Sequence, residues 1–170
     1  MRQLAKALTA ASAAGFALSP LPAAAQSTAN ATVQATIAKP LILTWVQDFD
    51  LGTIMLGNGT WSTSTVTLTR NGLFTCGANL TCTGQRQVAI YNVSGTNRQA
   101  VRINAPNVTL VNQANPASKL TLIVDTVSSV TLTNSGAPGT NFSLGGSITF
   151  SSATEGGTYL GMFNVTVDYQ

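Results

Sequence analysis

The chain has 170 residues, of which 8% are charged, with eight basic and five acidic side chains and no histidine. The basic residues are scattered singly, so the sequence lacks the basic stripe that a nucleic-acid partner requires. With no histidine and a single glutamate, Glu155, no set of nucleophile, base and orienting group can be assembled. We therefore expect a protein that is not an enzyme and binds no cofactor.

Residues 1–25 are typical of a secretory signal peptide. Arg2 and Lys6 precede an apolar stretch, and Ala23 and Ala25 form a small-residue cleavage pattern. The stretch is shorter than the roughly 18 residues of a membrane span, and no later run reaches that length. Cleavage would leave six basic and five acidic side chains. The sequence thus predicts an exported protein of almost no net charge that is not inserted in a membrane.

Residues 26–38 are predicted to form an N-terminal extension with the character of a strand. Val33, Ala35 and Ile37 share one face, while Gln34 and Thr36 lie on the other. Two interpretations are open, because this strand could pair with its own chain or with another subunit.

Residues 39–170 are predicted to form one antiparallel β-sandwich. Short runs rich in β-branched residues alternate with Gly, Asn, Pro and Ser, and no segment keeps a helical period. The number of runs fits an immunoglobulin-like sandwich, although a jelly roll or an open barrel fits as well. Including the extension, the predicted strands are residues 32–37, 41–46, 49–56, 62–69, 86–92, 100–104, 108–111, 119–126, 142–150 and 159–169.

Two pairs of side chains near the first strands could bind a ligand. Asp48 and Asp50 lie on one side of an extended segment and could contact a hard cation, but aspartates at a strand edge more often belong to a turn. Trp45 and Trp61 could stack on a sugar, although packing in the core is the favoured interpretation. We predict no metal site.

The two cysteines are predicted to form a local disulfide. Cys76 and Cys82 lie in TCGANLTCTG, where the intervening residues favour a turn. A close, even pair in an exported protein is typical of a structural bridge, and the C-x-x-C spacing of redox sites is absent. Closing so small a loop contributes about 2 kcal/mol in the chain-entropy estimate.

The last predicted strand, residues 159–169, has one face for a core and one for water. Polar residues become frequent on the outward face towards Gln170. The opposite face carries large apolar side chains at alternating positions, namely Tyr159, Phe163, Val165, Val167 and Tyr169.

Both ends of the mature chain resemble pilin subunits of the chaperone–usher class. Gly157 is fourteenth when counted back from Gln170, and Tyr169 is the penultimate residue after the alternating strand. The stretch FDLGTIMLGNGT is similar to a Phe-x-x-Gly-Thr segment near the start of spore-coat-U-like pilins. The ending GTYLGMFNVTVDY also resembles that of a related bacterial secreted-domain family of unknown function.

This resemblance implies a sandwich that lacks its last strand and has a hydrophobic groove beside the C-terminal strand. A donated strand would fill the groove by backbone pairing and by inserting alternate side chains. Groove residues implied by the resemblance, which would also face a chaperone, are Gly157, Tyr159, Phe163, Val165, Val167 and Tyr169. Donated residues would be Val33, Ala35 and Ile37. Expected partners are copies of the chain or related subunits, a periplasmic chaperone and an outer-membrane usher.

Two functions remain open on the sequence alone. The first is a structural subunit of a bacterial surface filament or coat, which passes through the periplasm to the cell surface and assembles by donor-strand complementation. The second is a self-complete secreted or periplasmic sandwich of binding or adhesin type that does not polymerise. The spacing of Cys76 and Cys82 departs from the pilin pattern, in which many members bridge a cysteine near the first strand across the sandwich.

Overall fold

The computed structural model describes residues 27–170. The chain divides into two units between Ala35 and Thr36. In the first unit, residues 27–35 form no strand and their side chains are exposed. The predicted signal peptide, residues 1–25, lies outside the described residues, as does Gln26.

The second unit contains thirteen strands, and residues 36–170 contain no helix. Most strands are four to seven residues long because glycine, asparagine and serine interrupt the β-branched runs. The strands are β1 (Ile42–Gln47), β2 (Thr53–Leu56), β3 (Ser64–Leu68), β4 (Phe74–Thr75), β5 (Leu80–Thr83), β6 (Ala89–Ser94), β7 (Ala100–Asn104), β8 (Val108–Asn112), β9 (Lys119–Asp125), β10 (Ser129–Thr131), β11 (Thr140–Phe150), β12 (Tyr159–Leu160) and β13 (Thr166–Tyr169).

The strands form three sheets in which all strand pairs are antiparallel. The largest sheet has the order β1-β6-β11-β9-β8-β12, and β3 joins it by pairing with both β11 and β4. A second sheet has the order β10-β7-β13, and a third consists of β2 and β5. The predicted fold class, an all-β antiparallel sandwich, is confirmed.

Two clusters of buried apolar side chains form the core. The first cluster contains Leu51, Val66, Leu68, Val108, Leu122, Ile148 and Phe150. The second contains Ala89, Val93, Val101, Ile103, Leu132, Phe142 and Leu144. Phe49, Val124 and Phe163 are partly buried and pack against both clusters, so they connect the two halves of the core.

Most predicted strands are present, but three differ in the structure. Residues 32–37 form no strand, and the predicted strand 49–56 is limited to β2 because Phe49–Leu51 makes only the isolated bridge between Asp50 and Gln87. The predicted strand 159–169 is divided into β12 and β13. Strands β4, β5 and β10 were not predicted, since two to four residues give too little periodicity to detect.

The part of the chain that the structure describes contains no helix long and apolar enough to cross a membrane.

Candidate functional site

A cleft of about 1040 Å³ opens beside the C-terminal segment, which we define as residues 157–170. One wall is the chain around β2, from Phe49 to Leu56, and the other is formed by residues 154–163. The floor is apolar and comes from β8, β9 and β11. It consists of Val108, Leu110, Leu120, Leu122, Ile148 and Phe150.

The β2 wall presents an unpaired strand edge. Among the residues that the structure describes, strand β2 pairs only with β5, and the Gly57 amide donates to the Asn79 carbonyl at 2.7 Å in the same register. Because hydrogen-bonding direction alternates along an antiparallel strand, the backbone groups of Ile54 and Leu56 point away from β5. This edge is therefore free to pair with another strand.

The C-terminal segment, which forms part of the opposite wall, pairs with one sheet at its start and with another sheet at its end. Strand β12 pairs with β8 in the large sheet, whereas β13 pairs with β7 in the three-stranded sheet. Residues 161–165 lie between them and belong to no strand. Among the described residues, no hydrogen bond joins the backbone of this stretch to another residue.

Within residues 27–170, strand β13 is also an edge strand with one unpaired side. The Gln170 amide donates to the Ala100 carbonyl at 3.1 Å and continues the register in which Asp168 lies opposite Arg102. The same alternation directs the backbone groups of Val165 and Val167 away from β7. The C-terminal segment thus presents free backbone groups both in its interruption and along β13.

The side chains of the C-terminal segment alternate as the sequence predicts, but their burial is incomplete. The inward residues Tyr159, Phe163, Val165, Val167 and Tyr169 are half-buried, and the residues between them from 160 to 170 are exposed. Phe163 packs edge-on against Phe49, with ring centroids 5.8 Å apart. Gly157, Tyr159 and Phe163 line the cleft, while Val165, Val167 and Tyr169 lie further along and pack against the second core cluster.

Position 157 requires glycine because of the neighbouring Asn112, a contact that the sequence did not suggest. The Gly157 φ of +147° is rarely adopted by side-chain-bearing residues, and a Cβ there would lie 2.6 Å from the amide of Asn112. The Asn112 side chain is fully buried and donates to the Gly156 carbonyl at 3.1 Å. Its oxygen accepts from the amides of Ala114 and Asn115 at 2.9 and 3.3 Å. Asn112 therefore fixes the start of the C-terminal segment.

Gly161 is required by close approach rather than by an unusual dihedral angle. A Cβ at this position would lie 2.7 Å from the side chains of Leu110 and Val108 on β8. After β12 the backbone therefore runs in close contact with the cleft floor, which leaves no room for a side chain at position 161.

Tyr169 closes the far end of the segment. Its hydroxyl accepts a hydrogen bond from the Thr96 amide and donates one to the Lys39 carbonyl, both at 2.7 Å. A penultimate aromatic residue therefore ties the last strand to the chain just before β1.

The predicted disulfide between Cys76 and Cys82 is confirmed, with Cα atoms 6.1 Å apart. Cys76 directly follows β4, which belongs to the large sheet, and Cys82 lies in β5 opposite Ile54 of β2. The bridge therefore does more than close a loop. It connects the large sheet to the two-stranded sheet of β2 and β5, and β2 forms one wall of the cleft.

The two tryptophans differ in their surroundings. Trp61 packs against the first core cluster, as expected, whereas the Trp45 side chain is 58% exposed at the edge of the cleft. The Trp45 ring nitrogen donates to Asp48 at 3.1 Å, and Trp45 lies opposite Tyr91 on β6. Burial, and secondarily the charge of Asp48, raise the pKa of Tyr91 above its usual value of 10.0.

Asp48 and Asp50 each have a protein partner of their own. Asp48 accepts from Trp45, and Asp50 accepts from the Gly52 amide at 2.8 Å in a local turn. Within residues 27–170, no group of three or more His, Cys, Asp or Glu side chains is arranged to hold a metal ion.

The three proposed donor residues lie on exposed, unpaired chain. Val33 is 92% exposed and Ile37 is 86% exposed, and Ala35 is exposed as well. None of residues 27–40 belongs to a strand. The sequence identified this alternating face but missed Asn112, Phe49 and the β2 edge, since their roles depend on contacts between distant parts of the chain.

A family model for a domain of unknown function, DUF4402, matches residues 41–169. The match begins one residue before β1 and ends at Tyr169, so it covers all thirteen strands and leaves the N-terminal extension outside. Searches of curated proteins and of solved structures find no match. The chain belongs to the DUF4402 family.

Proposed function

We propose that this chain is a structural subunit of a bacterial surface filament or coat, assembled by donor-strand complementation between copies. The observation that carries the proposal is the cleft with an apolar floor that lies between the free edge of β2 and the unpaired middle of the C-terminal segment. Such a site fits an extended peptide, because main-chain hydrogen bonds give affinity and alternate side chains fill the space above the floor.

The N-terminal extension of a second copy has the chemistry to occupy the cleft. Its alternating face carries Val33, Ala35 and Ile37, and residues 27–38 contain no charge that would have to be buried. Full burial of Val33 or Ile37 contributes roughly 1.5–3 kcal/mol each. Donor and acceptor residues come from different segments of one chain, so pairing between copies is head-to-tail, and it extends into a filament when the rotation does not close a ring.

Export is part of the same proposal. A disulfide persists in oxidising compartments such as the periplasm, which supports a chain that leaves the cytoplasm behind its predicted signal peptide. A periplasmic chaperone would cover the cleft before assembly and an outer-membrane usher would release the subunit, as the resemblance to pilins implies.

The test compares two double variants of the mature chain, residues 26–170, that carry the same added charge. Val33→Asp with Ile37→Asp places the charges on the proposed inward face, while Gln34→Asp with Thr36→Asp places them on the outward face. We expect ladders of stable oligomers from the wild type and from the outward variant, and monomers from the inward variant. The measurement is size-exclusion chromatography with light scattering.

A wild-type chain that remains monomeric at all concentrations would overturn the proposal and favour a self-complete, non-polymerising sandwich. Equal oligomerisation of the two variants would show that the extension does not pair through this face.

A further inference from the structure

The C-terminal segment is fixed at both ends and unpaired in its middle. At its start, Asn112 holds Gly156, and the Gln113 amide donates to the Thr158 carbonyl at 2.8 Å. At its end, β13 pairs with β7 and the Tyr169 hydroxyl holds Lys39. Residues 161–165 lie between these attachments, without a backbone partner among the described residues.

The unpaired middle lies at the cleft. Gly161, Met162 and Phe163 all line it, and Phe163 points inward onto Phe49. The Met162 side chain is 84% exposed. Backbone amides and carbonyls need partners, and a strand that enters the cleft can replace water in that role here.

We propose that residues 33–37 of a second copy pair with residues 161–165, with Ala35 beside Phe163. This inference rests on the proposed function and specifies where its joint forms. The incoming strand would join β12, the interruption and β13 into one continuous strand from Tyr159 to Tyr169.

Side-chain size is the reason for this register. The inward residues of the acceptor are Gly161, Phe163 and Val165, and those of the donor are Val33, Ala35 and Ile37. Ala35 and Phe163 are the central members of the two sets, so they are neighbours in this register whether the strands run parallel or antiparallel. A small side chain beside a large one packs well, whereas two large ones would clash.

The antiparallel arrangement distributes volume most evenly. It places Ile37 beside Gly161, which has no side chain, and Val33 beside Val165. The parallel arrangement would instead place the largest donor residue beside Val165 and leave Gly161 next to Val33. Both five-residue stretches are uncharged, so no charge is buried in either case.

The test exchanges the sizes of the central pair in the mature chain. Ala35→Phe should weaken assembly by overpacking, with at least about a tenfold loss of affinity. Phe163→Ala should weaken it by leaving a gap. A chain with both substitutions should assemble again, while Ala35→Phe with Val165→Ala should not, because Val165 is not the neighbour of Ala35.

A second measurement decides the matter if Phe163→Ala does not fold. Hydrogen exchange should show alternate amides within residues 161–165, those that point towards the donated strand, strongly protected in wild-type oligomers and unprotected in the monomeric Val33→Asp, Ile37→Asp chain. Exchange that slows only in β13, or normal assembly of Ala35→Phe, would overturn this register while leaving donor-strand assembly intact. A wild type that never assembles would instead overturn the proposed function.

Discussion

The N-terminal extension and the C-terminal segment carry the same sequence pattern but differ in burial. Val33 and Ile37 alternate with polar residues and are almost fully exposed, whereas Val165 and Val167 alternate in the same way and are half-buried. Alternation indicates which side chains share a face. It does not indicate whether a neighbouring strand exists to cover that face. The two segments differ in burial because β13 pairs with β7, whereas the N-terminal extension has no such neighbour among the described residues.

Truncation at each end should separate these two segments most strongly. Deleting residues 27–38 should leave the thermal unfolding of residues 39–170 close to that of the monomeric Val33→Asp, Ile37→Asp chain, because residues 27–38 form no strand. Deleting residues 164–170 removes β13 together with three half-buried side chains. We expect the free energy of unfolding to fall by a large part of the roughly 5–15 kcal/mol that stabilises a typical domain. Circular dichroism with thermal melting measures both.

Unfolding of the chain that lacks residues 27–38 would contradict this expectation. The extension would then complete its own domain, and the contrast between the two segments would disappear.

Two adjacent glycines test how firmly the C-terminal segment is anchored. Gly157→Ala would force a Cβ against the Asn112 amide at a φ of +147°, so we expect a loss of about 1–3 kcal/mol. Gly156→Ala is the matched control, because a Cβ there meets no atom within 4 Å. Urea unfolding of both variants gives the free energies, and equal values would show that Asn112 does not restrict this turn.

The smallest expected effect concerns the ionisation of Tyr91 at the edge of the cleft. Asp48→Asn should lower the pKa of Tyr91 only part of the way towards 10.0, because burial is the larger cause of its increase. Tyrosinate absorbance measures this, and Tyr91→Phe identifies its contribution. No change in the pKa on Asp48→Asn would rule out the charge effect.

The raised pKa of Tyr91 also determines how the stability of the folded state changes with pH. Since the folded state retains this proton longer than the unfolded state, the contribution is present below about pH 10 and is lost as the pH rises through the folded pKa. Occupation of the cleft should bury Tyr91 further, so its pKa should rise again in oligomers.

Local pattern was enough to predict most strands, the disulfide and the inward row of the C-terminal segment. The division of that segment into β12 and β13 could not be predicted, because it depends on which distant strand each half meets. Asn112 was missed for a related reason, since its side chain acts on Gly156, 44 residues away. The cleft itself arises from strand edges that remain unpaired, and a single sequence does not reveal sheet order.

The bridge between Cys76 and Cys82 has a consequence for the entropy of association. By tying β5 to the large sheet, it limits the motion of β2 before any partner arrives. A wall that is already ordered loses less conformational freedom on binding, so more of the contact energy is available as affinity. Under reducing conditions we therefore expect the joint to dissociate faster, even where the domain itself remains folded.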